Sequence, residues 1–351
     1  MRDTAGYEPL DERARNILMA VVQSFIQTAE PVGSRTISKR FEFGLSPATI
    51  RNVMADLEEM GFLEQPHTSA GRVPTDKGYR YYVDHLQGPE ALSAEEAALI
   101  AQRFPPYRGE MDEVIAEISR LLSELSRYAG IVLRTLASAV FSRVELVKVR
   151  GPQVLAIFVL ESGMVHHKLI TLEEEMTQDE LQRIANYLNQ EFAGQPLRLI
   201  RQRIAERMAE EKVQYDQLLR QAMQVGGKTF EEAAKKDEEI VLGGTANIID
   251  QPEFQSNTER MKELLRAFED KSRLIRILDK CLEEPGVNVI IGSETPFKDV
   301  HECSFVTRTF HSGDRTIGVL GVVGPKRMAY PRVMALVDYT ANLVTQLLTQ
   351  G

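Results

Sequence analysis

Apolar residues recur at intervals of three and four through the N-terminal part of the chain, which predicts a run of amphipathic helices. The clearest start signal is Ser46 followed by Pro47, because serine is a favoured N-cap and proline a favoured first helical residue. Gly61 ends that helix, and short apolar runs on both sides of a polar turn then predict two strands. The predicted elements are helices at 11–28, 34–40 and 46–60, strands at 62–64 and 72–75, and a further helix at 76–87.

Three helices followed by a two-stranded hairpin form the outline of a winged helix-turn-helix. In the third helix an apolar face of Ile50, Val53, Met54 and Leu57 leaves small, polar and basic residues facing outward. Such a face can approach a DNA groove, and the hairpin tip can lie along phosphates. An ordinary surface helix and a solvated loop are the alternatives. The candidate DNA-contacting residues are Ser34, Arg35, Lys39, Ser46, Ala48, Thr49, Arg51, Asn52, His67, Thr68, Ser69 and Arg72.

After Gly88-Pro89 the periodicity alternates between helical and strand-like, which predicts an α+β multidomain chain. Two groups of strands are separated by a mostly helical stretch. One economical account is a single sheet that is interrupted by an inserted helical domain. The predicted strands are 144–149, 154–160, 165–172, 240–242, 287–291, 304–310 and 317–323, and the predicted helices are 92–104, 111–136, 177–192, 197–225, 258–282 and 331–348.

The formal net charge of −9 argues on its face against a nucleic-acid binder. The positive charge is local, however: residues 31–55 hold four basic residues and one acid, and residues 65–83 hold three basic residues against Asp76. The acidic total within 1–88 predicts modest non-specific affinity for DNA. Apolar residues at 43% leave enough material for more than one core.

Composition also bears on the compartment. No apolar run approaches the ~18 residues of a membrane span, and the polar, acidic N-terminus lacks the pattern of a signal peptide. Two cysteines exclude a disulfide scaffold. A cytoplasmic location is therefore expected.

The remaining motifs carry no chemistry of their own. Gly226-Gly-Lys-Thr229 resembles the end of a phosphate loop, but Ala222 stands where the first glycine is required, so the segment predicts a helix stop and a turn. The spacing of Cys281, His301 and Cys303, together with His166-His167, matches no zinc pattern. No catalytic constellation is present, so we expect a non-enzyme with no cofactor and no metal.

Longer motifs resemble one protein family. The segments from Ser46 to Gly61, from His67 to Thr75 and from Gly78 to Val83 closely resemble the heat-inducible transcription repressor family, HrcA. Gly321–Pro331 is similar to that family's C-terminal signature, and Leu242–Asn247 to a central one. The resemblance covers nearly the whole chain.

This resemblance implies repression of heat-shock chaperone operons at an inverted-repeat operator called CIRCE, bound by a homodimer, with the GroE chaperonin as the partner that keeps the repressor active. The amphipathic helices at 197–225 and 258–282 have enough apolar surface for the dimer contact, or for packing within one chain. The implied domains are a winged helix at 1–88, a GAF-like α/β domain at 89–195 and 276–351, and an inserted, mainly helical dimerisation domain at 196–275.

Other functions are compatible with the same residues. A metabolite-responsive winged-helix regulator would bind a small molecule in a GAF-like pocket framed by both strand groups. An enzyme with a DNA-binding appendage and an interaction scaffold are further alternatives. For the repressor, marginal stability of a large body is the hypothesis for heat sensing.

Overall fold

The protein is described here as a computed structural model. It covers residues 10–350 except 68–69, 87, 89, 105–110, 135–139, 162–164, 198, 201–202, 205–221, 223, 230–238, 256–257, 283 and 314. The chain divides into two compact units. The first comprises Met1–Val132, Ile240–Phe310 and Val319–Gly351, and the second comprises Leu133–Glu239 and His311–Gly318.

The N-terminal module, residues 10–86 of the first unit, has the predicted order of elements. Asp11 caps the first helix by accepting a hydrogen bond from the Ala14 amide at 2.6 Å, and Ala29 ends it in the left-handed region. Side chains from its four helices and from the segment around β1 are buried. Each large apolar side chain that is fully buried contributes about 1.5–3 kcal/mol to the free energy of unfolding. The elements are α1 (Glu12–Thr28), α2 (Ser34–Arg40), α3 (Pro47–Glu59), β1 (Leu63–Glu64), β2 (Val73–Pro74) and α4 (Asp76–Asp84).

The rest of the first unit is a mixed α/β body, which we call the sheet body. Its strands are β3 (Ala129–Arg134), β7 (Glu239–Gly243), β8 (Val287–Ile291), β9 (Cys303–Ser312) and β10 (Arg315–Pro325). They form a five-stranded sheet of order β7-β3-β10-β9-β8, in which β8 pairs antiparallel with β9 and Ile291 lies opposite Ser304. Its helices are α5 (Ala94–Arg103), α6 (Met111–Ser126), α8 (Ala246–Ile249), α9 (Pro252–Gln255), α10 (Thr258–Glu269), α11 (Lys271–Leu282) and α12 (Tyr330–Gln350).

Strand β3 corrects the predicted helix at 111–136. The helix ends at Ser126 because Arg127 adopts a left-handed φ of 61°. Gly130 then lies so close to α6 that a Cβ atom would be 1.9 Å from the Ser119 carbonyl oxygen. All six residues of β3 are buried, so its continuous apolar run has no alternating pattern to distinguish it from a helix face. The predicted helix at 258–282 is likewise two helices, with Asp270 between α10 and α11.

The second unit has its own three-stranded antiparallel meander, β4 (Phe141–Arg150), β5 (Gln153–Leu160) and β6 (Val165–Thr171), followed by α7 (Gln178–Phe192). Alternate strand residues and one face of α7 form a single buried cluster. The prediction of one interrupted sheet is therefore wrong. The alternation in β4–β6 is typical of strands with one solvated face, whereas β9 is buried along most of its length.

The two units divide the chain at residues other than the predicted domain boundaries of 195/196 and 275/276. The assignment of residues 196–275 to a dimerisation domain stays a prediction. Residues 226–229, predicted as a helix stop and a turn, are helical. No helix in the described part of the chain is both long and apolar enough to cross a membrane.

Candidate nucleic-acid interface

Helix α3 presents the predicted polar face to solvent. The Ser46 hydroxyl accepts a hydrogen bond from the Thr49 amide at 3.1 Å, which fixes the first turn. Ile50, Met54 and Leu57 are buried in the module. On the other side Ser46, Ala48, Arg51 and Asn52 are exposed, and Thr49 is half-buried with its hydroxyl 2.9 Å from that of Ser46.

Helix α2 adds two cations beside α3. Arg35 and Lys39 are exposed, whereas Ser34, the first residue of the helix, is buried. Within the described part of the chain, no ion pair or side-chain hydrogen bond engages Arg35, Lys39 or Arg51. Three cations without an ion-pair partner among the described residues therefore lie on α2 and on the N-terminal half of α3, and the dipole of α3 favours an anion at that helix's N-terminus.

A groove of about 530 Å³ connects α2, α3 and the hairpin. It brings together three of the predicted cations, Arg35, Arg51 and Arg72. Its lining also contains Val32, Gly33, Ser34, Met54, Gln65, Ala70 and Gly71. Gln65 was not among the predicted contacts, although its place at the end of β1 beside the polar tip is a signal that could have suggested it.

The hairpin loop is held at its base by backbone contacts. Val32 and Arg72 exchange backbone hydrogen bonds of 2.8 and 2.9 Å, and the Gln65 side chain donates to the Ala70 carbonyl at 3.0 Å. Gly71 lies so close to the segment that precedes α2 that a Cβ atom on it would be 2.5 Å from the Val32 carbonyl. His67 is exposed at the tip, and the predicted contacts Thr68 and Ser69 lie outside the described residues.

The predicted contact Arg72 is engaged within the protein. Its Nη2 lies 2.7 Å from Oε2 of Glu58 on α3, and the two side chains are 19% and 34% exposed. Its Nε is buried and has no hydrogen-bond partner among the described residues. Helical periodicity places Glu58 in the later, acidic turns of α3, but nothing in the pattern indicates that it binds the arginine of the hairpin.

The described residues form no metal-binding cluster of the kind that the histidines and cysteines could have suggested. Among the residues that the structure describes, no three histidine, cysteine or acidic side chains lie together as metal ligands do. Cys281 and Cys303 are both buried, and burial raises the pKa of the Cys303 thiol far above its ordinary value. The strands that would frame a small-molecule pocket belong to two separate sheets, and the pocket itself stays a prediction.

Comparisons with known proteins identify one family over nearly the whole chain. The family model described as "HrcA protein C terminal domain" matches residues 112–334. A heat-inducible transcription repressor HrcA of Geobacter sulfurreducens is 46% identical over 97% of this chain and 98% of its own. One of Syntrophobacter fumaroxidans is 42% identical over the same shares.

Among solved structures, one described as a hypothetical protein at 2.2 Å resolution superposes with a TM-score of 0.57 at 23% identity. It covers 97% of this chain and 99% of its own. This similarity shows that the two chains share a fold.

Proposed function

The chain belongs to the HrcA family of heat-inducible transcription repressors, and from this premise we propose that its N-terminal module is a winged helix-turn-helix that binds an inverted-repeat operator of the CIRCE type. The observation that carries the proposal is the exposed positive charge of Arg35, Lys39 and Arg51, which form no ion pair with any other described residue, beside a groove that the hairpin borders. In a chain of net charge −9, this local concentration of positive charge favours a polyanionic partner such as DNA.

In this proposal α3 is the recognition helix. Its exposed N-terminal half carries Arg51, which matches the acceptors of guanine, and Asn52, which matches adenine. Ser46, Thr49 and the α3 amides bind phosphate, and Arg35 and Lys39 contact the backbone from α2. Ala48 permits close approach to the groove. The hairpin with His67, Thr68, Ser69 and Arg72 follows the adjoining phosphates. The acids Asp56 and Glu59 lie on the end of α3 that leaves the groove.

An inverted repeat calls for two modules related by a two-fold axis, so we propose a homodimer. The face of the β4–β6 sheet that points away from α7 is the surface that favours contact with a second copy. Register places Val147, Leu155 and Leu169 in one row across this face, and the outer two are exposed. Val149 and Val165 are exposed as well. Apolar patches of this kind mark association surfaces.

The proposed domain roles follow from this choice. The second unit supplies the inserted dimerisation domain, in place of residues 196–275 alone, and the sheet body is the GAF-like domain. The proposed biological setting is repression of chaperone operons, with the GroE chaperonin restoring repressor that heat has unfolded. Because proteins are stable by only ~5–15 kcal/mol, modest heating changes the folded fraction. Nothing in this role requires catalysis.

The test compares binding to a CIRCE-type inverted repeat with binding to a scrambled duplex across a salt series. We expect wild type to prefer the repeat, and Arg51→Ala to lose about 1–3 kcal/mol of that preference. Arg120→Ala is the matched control, because Arg120 is an exposed arginine on α6, away from the module. Equal weakening on both duplexes with a flatter salt slope would make Arg51 a phosphate contact.

Absence of any preference, with and without chaperonin, would overturn the proposed function. An unchanged operator affinity after heat shock under both conditions would contradict the heat-sensing part alone. Each arm thus addresses a separate part of the proposal.

A further inference from the structure

Helix α4 has one side in the N-terminal module and another against the sheet body. On the module side Gly78 lies against the Phe62 carbonyl, where a Cβ atom would be 2.2 Å from the oxygen, and the Tyr81 ring packs edge-on to Phe62 at 5.5 Å. Asp76 and Arg80, which are one helical turn apart, instead contact the turn that follows β8. A displacement of α4 therefore displaces the module with it.

Arg80 is the most extensively bonded of these contacts. Its Nε and Nη2 donate to the two carboxylate oxygens of Glu294 at 2.6 and 2.5 Å, and Nη2 also donates to the Val289 carbonyl at 2.6 Å. Within α4, Nη1 lies 3.3 Å from Asp84. The Arg80 side chain is only 10% exposed. A fork–fork pair of this kind has one favourable orientation.

Asp76, the first residue of α4, makes a second connection. Its carboxylate lies 2.9 Å from Lys326 Nζ and accepts a hydrogen bond of 2.9 Å from the Ser293 amide. Gly292 leaves room for this carboxylate, because a Cβ atom there would be 2.5 Å from it. Burial alone would raise the pKa of Asp76, but the hydrogen bonds from Lys326 and Ser293 hold it below its ordinary value.

A third connection starts from the sheet body and reaches α1. Arg327 donates from Nη1 to the Ile26 carbonyl at 3.0 Å, while its Nε bonds Glu253 of α9 at 2.5 Å. The rings of Tyr79 and Tyr330 lie 6.3 Å apart in the same region, and both side chains are buried. The connections around Asp76, Arg80 and Arg327 are called the seam below.

We propose that Asp76, Arg80 and Arg327 are positioning residues that fix the orientation of the DNA-binding module on the sheet body, and thereby select the spacing between the two half-sites of an operator. This inference rests on the proposed function. It gives a physical role to two segments, 78–83 and 321–331, that are far apart in the sequence and meet at the seam.

The chemistry of the seam favours orientation over simple adhesion. A nearly buried arginine recovers little net stability from its ion pair, because removal of the charges from water offsets their attraction. An orientation that keeps the contact closed but shifts the module leaves Arg80 buried without its carboxylate, so such alternatives are disfavoured. In a dimer, a module of fixed orientation holds the second copy's α3 at one distance from the first, so its effective concentration at a half-site of matching spacing is high. A loosely held module samples many distances, and its effective concentration at any one spacing is lower.

The test uses the full-length protein and three duplexes: a single half-site, the CIRCE-type repeat, and a repeat whose spacer is changed by about 5 base pairs, half a helical turn. The variant is Arg80→Gln, and Lys326→Met is a milder second variant. Arg103→Gln is the matched control, since Arg103 also bonds two acids, Glu117 and Glu124, but within the sheet body. We expect Arg80→Gln to bind the half-site within about twofold of wild type and to discriminate between the two spacings about tenfold less.

The outcomes separate the possibilities. Unchanged spacing discrimination in Arg80→Gln and Lys326→Met would overturn the inference, as would loss of half-site binding, which would make the seam a requirement for the module's own folding. Equal loss in Arg103→Gln would also overturn it. Failure of wild type to bind any of the duplexes, with and without chaperonin, would overturn the proposed function itself.

A measurement without DNA gives a second check. Amide hydrogen exchange reports local opening. We expect Arg80→Gln to exchange faster in residues 76–84 and 289–295 while α1 and α3 keep their protection. Unchanged exchange at both segments, or loss of protection throughout the module, would contradict a positioning role.

Discussion

Nη2 of Arg72 lies 2.7 Å from Oε2 of Glu58, so the arginine at the root of the hairpin is bound to the acidic half of α3. An arginine held in this way offers less charge to phosphates than an isolated one. Under the proposed function, we therefore expect Glu58 to limit the contribution of Arg72 to DNA binding, and with it the non-specific part of that affinity.

Glu58→Gln is expected to release Arg72 and to raise affinity for a scrambled duplex. If Arg72 then contacts one phosphate, the slope of log K against log salt becomes steeper by about 0.9. Titrations of the scrambled duplex at several salt concentrations measure this slope.

Glu59→Gln is the control, because it removes the same charge from the neighbouring, exposed position. Equal slopes for Glu58→Gln and Glu59→Gln would show that the released arginine contributes nothing. The double variant Glu58→Gln with Arg72→Ala should return the slope to the wild-type value.

The module illustrates what local pattern predicts well. Ser46 and Pro47 mark the start of α3, and the spacing of Ile50, Met54 and Leu57 identifies its buried face. These features depend on neighbours within four residues, so the sequence contains them directly. The exposed face follows by exclusion, which is why Arg51 and Asn52 could be named in advance.

The sequence-based predictions are wrong or incomplete where contacts between distant segments determine the structure. Strand β3 is apolar on both faces because it lies inside a sheet with β7 and β10, which are remote in sequence. The Arg72–Glu58 pair and the seam also depend on tertiary contact. Periodicity carries no information on which charged residues of distant segments pair, so Arg80 and Glu294 were not predicted as partners.

Ser46→Ala tests the cap of α3. It removes the acceptor for the Thr49 amide, so we expect a loss of about 1 kcal/mol in the free energy of unfolding and weaker binding to the operator. Denaturant unfolding and duplex titration measure the two effects. Ser93→Ala is the matched control, because Ser93 caps α5 in the same way with a 3.1 Å bond from the Glu96 amide. If Ser93→Ala weakens DNA binding equally, the effect of Ser46 is only one of stability.

Tyr330 is expected to make stability depend on alkaline pH. The hydroxyl is fully buried; it donates to the Lys326 carbonyl at 2.7 Å and lies 2.9 Å from the Ser304 hydroxyl. Burial raises its pKa well above the ordinary value of about 10. Its contribution is therefore complete below pH 10, where the tyrosine of the unfolded chain is also neutral. Above pH 10 the contribution falls by up to about 1.4 kcal/mol per pH unit, because the unfolded chain ionises first.

Tyr330→Phe separates this effect from other groups. At neutral pH the variant loses two hydrogen bonds and should be about 1–3 kcal/mol less stable. Between pH 9 and 11 its stability should fall less steeply than that of wild type in denaturant unfolding. Parallel pH profiles for the two proteins would show that other groups control the alkaline transition.

Leu169→Glu tests the proposed dimer surface. Leu169 is 51% exposed on the outer face of the three-stranded sheet, in register with Leu155 and Val147, so a charge there leaves the fold's core intact and opposes burial against a second copy. Sedimentation velocity should show a dimer for wild type and a shift towards monomer for the variant. Affinity for the inverted repeat should fall while affinity for a single half-site remains. Leu99→Glu is the control, because Leu99 is 42% exposed on α5 of the sheet body. Should Leu169→Glu stay dimeric, or should Leu99→Glu dissociate equally, the two copies meet through a different surface.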